Sequence, residues 1–214
     1  MREEPQRIAE RLEATLRVPD GIPRAIAVVA HPLPTHGGTM RNPLVAAIAR
    51  ALARGGILAL RFNFRGTGAS AGDWTDGADE PEDVGLAVAH ARSLAPGLPL
   101  GVCGYSFGAL MTLRWLERGG RAEDVALVGL PLHSVSLAPQ PLPPVPEGTF
   151  VVAGEHDEFA TAAELRAALP RAVVAEVAGS GHFFEGKRDA VGALVAARFA
   201  ATFHVPSPAE VAGE

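Results

Sequence analysis

The chain has 214 residues, 48% of them hydrophobic, which suits one domain that buries its own core. Its net charge of −5 and its scattered basic residues exclude the basic patch with which proteins bind nucleic acid, and a single cysteine excludes an intramolecular disulfide. The apolar runs at residues 25–30 and 125–132 are far shorter than the ~20 residues of a membrane helix, and no signal-peptide pattern opens the chain. We therefore expect a soluble, cytoplasmic protein.

The hydrophobic pattern of residues 11–62 predicts three strands and one helix. Residues 11–18 alternate apolar and polar side chains, which predicts a half-buried antiparallel strand at the edge of a sheet. Residues 25–30 and 57–62 are apolar runs, as expected of strands that helices bury on both faces. Between them, Asn42 followed by a proline predicts the start of a helix, which two glycines end at residue 55.

The unit of strand, loop and helix then repeats. A helix is predicted over residues 81–94, and strands over 100–106, 125–130, 149–153 and 172–177. This repetition predicts a three-layer α/β fold, in which a mostly parallel sheet carries helices on both faces. Functional residues of such a fold lie at the carboxyl ends of its strands.

Two segments are predicted to be irregular. Residues 133–148 contain five prolines, so we expect a loop there and no helical cap over the sheet. Residues 206–214 are rich in proline, serine and glycine and are expected to form a frayed tail. The sequence therefore predicts one domain over residues 1–205.

The most informative motif is Gly-Tyr-Ser-Phe-Gly at residues 104–108, between a predicted strand and a predicted helix over 107–118. This context is typical of a nucleophile elbow, a sharp turn that exposes its serine and requires small neighbours. The amides at the start of the helix point toward the same place and favour developing negative charge there. The motif therefore predicts that Ser106 is a nucleophile.

A serine nucleophile requires a general base, and the base requires an acid that fixes its tautomer. Asp157 follows the predicted strand 149–153, and His182 follows the predicted strand 172–177. The chain order Ser106, Asp157, His182, with each residue at the carboxyl end of its own strand, predicts a catalytic triad. Glu155 and Glu158 are alternative acids.

Other functional interpretations are weaker. The histidines and acids lack a metal-ligand spacing such as HxxxH, so we expect no metal. The glycine-rich residues 65–68 match neither of the nucleotide-binding motifs GxxxxGK(S/T) and GxGxxG, so we expect no cofactor. Cys103 lies on the predicted strand three residues before Ser106 and is expected to be an inert core residue. His156 neighbours Asp157 and is expected to lie on the surface, because both side chains cannot easily face each other in one turn.

Further motifs extend over most of the chain. Residues 31–40 read His-Pro-Leu-Pro-Thr-His-Gly-Gly-Thr-Met, residues 61–70 Arg-Phe-Asn-Phe-Arg-Gly-Thr-Gly-Ala-Ser, and residues 179–184 Gly-Ser-Gly-His-Phe-Phe. With the elbow, they resemble the α/β-hydrolase superfamily, and within it a small bacterial group that carries HPxPxxGGTM. The chain departs from many members of the superfamily at Pro32, where they have glycine, and at Asn63, where they have aspartate.

The resemblance implies roles for individual residues. The position that the catalytic acid occupies in the family favours Asp157 over Glu155 and Glu158. It implies an oxyanion hole made by two backbone amides, that of Phe107 and one near His31. Because the prolines on both sides have no N–H, Leu33 is the donor expected in that loop. His31 and His36 either hold the loop through hydrogen bonds to backbone or contact the substrate, and we favour the holding role.

The predicted function is a lidless serine hydrolase, a carboxylesterase that acts on small or short-acyl esters through an acyl-serine intermediate. A peptidase, a thioesterase or a dienelactone-type hydrolase would use the same triad, and a catalytically silent binding protein would use the same fold. The expected partner is a small-molecule ester, with no nucleic acid and no membrane. The sequence leaves open whether the chain is a monomer or a homodimer.

Overall fold

A computed structural model describes residues 1–133 and 141–205. The strands are β1 (Arg2–Ile8), β2 (Leu12–Val18), β3 (Ala25–Ala30), β4 (Ile57–Phe62), β5 (Leu100–Tyr105), β6 (Asp124–Val128), β7 (Phe150–Gly154) and β8 (Val173–Val177). The α-helices are α1 (Pro43–Arg54), α2 (Glu80–Leu94), α3 (Phe107–Glu117), α4 (Ala162–Ala168) and α5 (Arg188–Phe203).

The strands form one sheet in the order β1-β2-β4-β3-β5-β6-β7-β8. β2 is antiparallel to both of its neighbours, β1 and β4, and every other neighbouring pair is parallel. Helices α1 and α5 pack on one face, and α2, α3 and α4 pack on the other. The predicted three-layer α/β fold is confirmed, and the carboxyl ends of β3 to β8 lie at one edge of the sheet.

The central strands have the predicted bounds because burial on both faces demands an uninterrupted apolar sequence. All six residues of β3 and all six of β4 are buried. The predicted helix start at Asn42 is also present, since its side-chain oxygen accepts hydrogen bonds from the amides of Leu44 at 2.9 Å and Val45 at 3.4 Å. Local sequence signals were sufficient to predict β3, β4 and the start of α1.

The prediction that residues 11–18 form the edge strand is wrong. β1 lies outside β2 and pairs with it along its whole length, from Arg2 opposite Val18 to Ile8 opposite Leu12. The sequence Arg-Glu-Glu-Pro-Gln-Arg-Ile of β1 has no apolar alternation, because most of this strand is exposed. Charges and a proline suit an edge strand, where they discourage pairing with another chain.

The connection between β6 and β7 is only partly described. Residues 141–149 form no helix, in agreement with the prediction for residues 133–148, whereas residues 134–140 lie outside the described part of the chain. The predicted tail over 206–214 also lies outside it, so the domain boundary at 205 stays a prediction. Within residues 1–133 and 141–205, none of the helices is both long and apolar enough to cross a bilayer.

Candidate active site

Ser106 lies in the turn between β5 and α3 in a strained conformation, with φ 54° and ψ −114°. The glycines on both sides of it are required by close packing. A Cβ at Gly104 would lie 2.3 Å from the carbonyl oxygen of Gly108, and a Cβ at Gly108 would lie 2.6 Å from the carbonyl oxygen of Ala30 in β3. The strand, the turn and the helix therefore have the geometry that the Gly-Tyr-Ser-Phe-Gly motif predicts.

The structure brings the three predicted triad residues together. His182 Nε2 lies 2.9 Å from Ser106 Oγ, and His182 Nδ1 lies 2.9 and 3.0 Å from the two carboxylate oxygens of Asp157. A carboxylate only accepts hydrogen bonds, so the proton of the neutral imidazole is on Nδ1, and Nε2 accepts the hydroxyl hydrogen of Ser106. The histidine is thus oriented to take a proton from the serine.

Asp157 is the acid that faces His182, and its neighbours point elsewhere. It is buried, and its Oδ1 also accepts hydrogen bonds from the amides of Phe159 at 2.9 Å and Ala160 at 3.4 Å. His156 is exposed on the surface. These contacts hold the carboxylate in place while both of its oxygens stay near the imidazole.

The alternative acids hold the loop that carries His182. Glu155 Oε2 accepts a hydrogen bond from the amide of Gly179 at 2.8 Å, and Glu158 Oε2 accepts one from the amide of His182 at 3.4 Å. The amide of His156 donates to the carbonyl of Ser180 at 2.9 Å. The loop after β7 therefore holds the loop after β8, which the sequence did not indicate.

Tyr105 adds a contact that sequence reasoning missed. Its hydroxyl donates a hydrogen bond to the carbonyl of His182 at 3.0 Å. Burial, together with the charge of Asp157, raises the pKa of Tyr105, so the phenol keeps its proton and remains a donor. The signal available in the sequence was the position of the chain's single tyrosine inside the elbow motif, directly before Ser106.

The loop after β3 presents the backbone amide that the sequence singled out. Leu33 lies between two prolines, and its carbonyl accepts hydrogen bonds from the amides of His36 at 3.1 Å and Gly38 at 3.0 Å. Within the described residues, the amides of Leu33 and Phe107 have no hydrogen-bond acceptor. Leu33, Phe107 and Ser106 line the same cleft, so these two free donors are available to a bound oxygen.

His31 holds this loop from inside the protein. Its Nδ1 donates to the carbonyl of Pro32 at 2.6 Å, and its Nε2 accepts from the amide of Phe64 at 3.1 Å. Burial lowers the pKa of His31 to about 4, so the ring is neutral at pH 7 and keeps one donor and one acceptor. His36 differs: it is exposed, lines the cleft and lies near the hydroxyl of Thr35, with 3.2 Å between Nδ1 and Oγ1.

The cleft around Ser106 has a volume of about 190 Å³. Its walls are mostly apolar and aromatic. Besides the residues already described, the lining includes Pro131, Phe159 and Phe183. Such a small, largely apolar cleft with a few polar groups suits a small-molecule ligand.

The glycine-rich loop 65–68 and Cys103, which the sequence analysis also considered, have structural roles. The guanidinium of Arg65 and its amide bind the buried carboxylate of Asp83, which ties the glycine-rich loop 65–68 to α2. Cys103 is fully buried, and burial raises the pKa of its thiol to about 12. Among the described residues there is no group of three histidine, cysteine, aspartate or glutamate side chains that could hold a metal ion.

The fold and the elbow geometry are those of an α/β serine hydrolase. The family described as serine aminopeptidase, S33, matches residues 22–153, which is more than half of the chain. The chain belongs to this family. Its predicted membership of the α/β-hydrolase superfamily is thereby confirmed, whereas its place in the group with the HPxPxxGGTM signature stays a prediction.

Several solved structures are similar over most of the chain. An α/β serine hydrolase homologue from Coxiella burnetii is 26% identical, with a TM-score of 0.79 over 92% of this chain and 96% of that one. A lidless α/β serine hydrolase from Xanthomonas campestris is also 26% identical, with a TM-score of 0.76 and 91% of each chain covered. An uncharacterized protein of Rickettsia prowazekii is 27% identical over 180 residues, 77% of this chain and 74% of its own.

Proposed function

We propose that the protein is a carboxylesterase that hydrolyses small, short-acyl esters with Ser106 as nucleophile, His182 as general base and Asp157 as the acid that orients it. The observation that carries this proposal is the continuous hydrogen-bonded chain from Ser106 through His182 to Asp157, whose serine and histidine line a largely apolar cleft. The expected ligand is the ester alone, with no metal or cofactor.

The chemistry has two steps. In the first, Ser106 Oγ attacks the ester carbonyl carbon, and its proton passes to His182 Nε2, while Asp157 stabilises the imidazolium. The oxygen that becomes negative accepts hydrogen bonds from the amides of Leu33 and Phe107. His182 then gives the proton to the departing alcohol. In the second step, water attacks the acyl-serine with His182 again as base, which releases the carboxylic acid and restores Ser106.

The character of the cleft favours an ester over a peptide. A peptide with a free amino end carries a positive charge, and a site for it needs a carboxylate or several carbonyl oxygens as partners. The described cleft wall consists of prolines, glycines, a leucine, aromatic rings and the polar side chains of two histidines, an asparagine and Ser106, and the carboxylate of Asp157 is turned toward His182. An uncharged ester fits this wall without leaving a charge unpaired.

Labelling and turnover together test the proposal. We expect a fluorophosphonate to modify Ser106, as located by peptide mass spectrometry, which would exclude a silent binding protein. We also expect turnover of 4-nitrophenyl acetate to exceed that of an acetyl thioester and of alanine 4-nitroanilide, when each rate is divided by the uncatalysed rate. A higher normalised rate on the thioester or on the anilide would replace the esterase with a thioesterase or an aminopeptidase.

The oxyanion hole can be tested at Leu33. The Leu33 φ of −52° lies in the range of proline, so Leu33→Pro removes the N–H without requiring a change in the φ of residue 33. We expect kcat to fall by about 10²-fold, because one oxyanion donor is lost. Leu33→Ala keeps the amide, and its kcat should stay within about threefold of wild type, since the loss is then limited to side-chain contacts. If Leu33→Pro folds, as judged by melting, and turns over normally, the donor lies elsewhere.

Acyl-chain selectivity follows from the size of the cleft. A volume of about 190 Å³ lies below the roughly 300–1,000 Å³ of ligand pockets in general, so few methylene groups of a long chain can be buried. Across a series of 4-nitrophenyl esters, we expect kcat/KM to be higher from acetyl to hexanoyl than at dodecanoyl. We also expect no rate increase above the solubility limit of the substrate. A maximum at long chains, or activation at an interface, would show that a lid covers the site.

A further inference from the structure

We propose that Phe159 and Phe183 form a subsite for the departing alcohol and that this alcohol is a small aromatic one, of the size of phenol or benzyl alcohol. This inference rests on the proposed function, because it concerns the group that leaves when Ser106 is acylated. It goes further by naming the chemical class of one half of the substrate.

The two rings flank the imidazole of His182. The ring centroid of Phe159 lies 4.5 Å from that of His182, with an interplanar angle of 63°, and the centroid of Phe183 lies 5.5 Å away at 85°. Phe159 and Phe183 line the cleft together with Ser106. The base therefore contacts two aromatic side chains that line the space in which substrate binds.

The direction of proton transfer decides which half of the ester meets these rings. His182 Nε2 lies 2.9 Å from Ser106 Oγ and delivers the proton to the departing oxygen, so the alcohol leaves beside His182. The carbonyl oxygen lies instead against the free amides of Leu33 and Phe107. The rings that contact His182 are consequently next to the departing alcohol.

Phe183 offers an exposed apolar ring that a bound group can cover. Its side chain is 59% exposed, whereas the adjacent Phe184 is fully buried and packs against Tyr105. Of the large hydrophobic side chains that are exposed in residues 1–133 and 141–205, Phe183 is the one that lines the cleft. A bound apolar group would remove this ring from water, which is favourable.

The size of the cleft and its aromatic rings favour one kind of alcohol group. The cleft of about 190 Å³ is small for a ligand site, which favours a single six-membered ring over an extended polycyclic group. Aromatic pairs are favourable at centroid distances of about 4.5–7 Å in offset or edge-to-face geometry, and the rings of Phe159 and Phe183 offer such contacts to a flat guest. A phenyl ring gains this interaction, and a saturated ring of the same carbon count does not.

A matched pair of esters tests the subsite. Benzyl acetate and cyclohexylmethyl acetate share the acyl group, the carbon count and a primary alcohol of similar leaving ability, so the ratio of their kcat/KM values reports recognition of the aromatic ring. We expect wild type to prefer benzyl acetate by about fivefold, the size of a typical aromatic pair contribution. Phe183→Leu keeps apolar bulk without the ring and should lower the ratio to about two or less. Phe203→Leu, the same change on α5, should keep the wild-type ratio.

The outcomes separate this inference from the function on which it rests. Turnover of 4-nitrophenyl acetate without a benzyl preference in wild type, or a preference that Phe183→Leu leaves intact, would overturn the subsite while the esterase stands. Failure of Ser106 to react with a fluorophosphonate, together with no turnover of any acetate, would overturn both. Melting curves of the two leucine variants establish that each is folded, and Phe183, being largely exposed, can be replaced with little effect on the core.

Discussion

Ser106→Ala is expected to lower kcat by at least about 10⁴-fold while the protein stays folded. The serine side chain makes its hydrogen bond to His182 and has no capping bond to the start of α3, so its loss removes the nucleophile and little packing. Initial rates on 4-nitrophenyl acetate measure the effect. As a matched control, Ser93→Ala removes an exposed hydroxyl on α2 and should keep wild-type turnover. Wild-type activity in Ser106→Ala would disprove the assignment of the nucleophile.

A glycine at the same position separates catalysis from stability. Ser106 has a φ of 54°, a conformation that costs a side-chain-bearing residue about 1–3 kcal/mol and costs glycine little. Glycine adds about 0.5–1 kcal/mol of chain entropy to the unfolded state. We therefore expect Ser106→Gly to be inactive and to melt at a temperature equal to or above that of Ser106→Ala. A lower melting temperature would mean that the elbow is not strained.

Asp157→Asn is expected to lower kcat by about 10³- to 10⁴-fold with a small change in KM. An asparagine keeps the shape of the side chain, and its oxygen can still accept from the amides of Phe159 and Ala160. Its NH₂ group, however, opposes the Nδ1–H of His182 and favours the other tautomer, in which Nε2 cannot accept the proton of Ser106. The measurement is steady-state kinetics at pH 7 on a short-chain ester.

Glu155→Gln and Glu158→Gln provide the comparison. Each glutamine retains an oxygen that can accept the backbone hydrogen bond now made to Gly179 or to His182. Their kcat should fall by less than about tenfold, because these side chains position a loop and do not touch the imidazole nitrogens. If Glu158→Gln were as damaging as Asp157→Asn, the assignment of the acid to Asp157 would have to be abandoned.

Much of the fold could be predicted because its signals are local. β3 and β4 are apolar along their whole length since both faces are buried, and α1 begins where Asn42 accepts hydrogen bonds from its first-turn amides. β1 was missed for the converse reason. An edge strand buries little side-chain surface, so neither face needs an apolar pattern, and its pairing with β2 depends on the rest of the sheet.

For the site, the sequence by itself determined the elbow and the order of its candidate partners. The motif at residues 104–108 is a local strand-turn-helix signal, and Gly104 and Gly108 are needed because the backbone of α3 and β3 leaves no room for a Cβ. Asp157 and His182 were identified because each follows a strand whose carboxyl end meets the same edge of the sheet. These inferences need only chain order and the direction of the strands.

Only the tertiary structure decided which side chains face one another. Three acids lie between residues 155 and 158, and chain spacing does not distinguish them. The turn after β7 directs Asp157 to the imidazole and directs Glu155 and Glu158 to backbone amides of the loop after β8. Such contacts join segments about 25 residues apart in the chain, and their directions depend on side-chain rotamers within packed loops, which no periodic pattern in the sequence encodes.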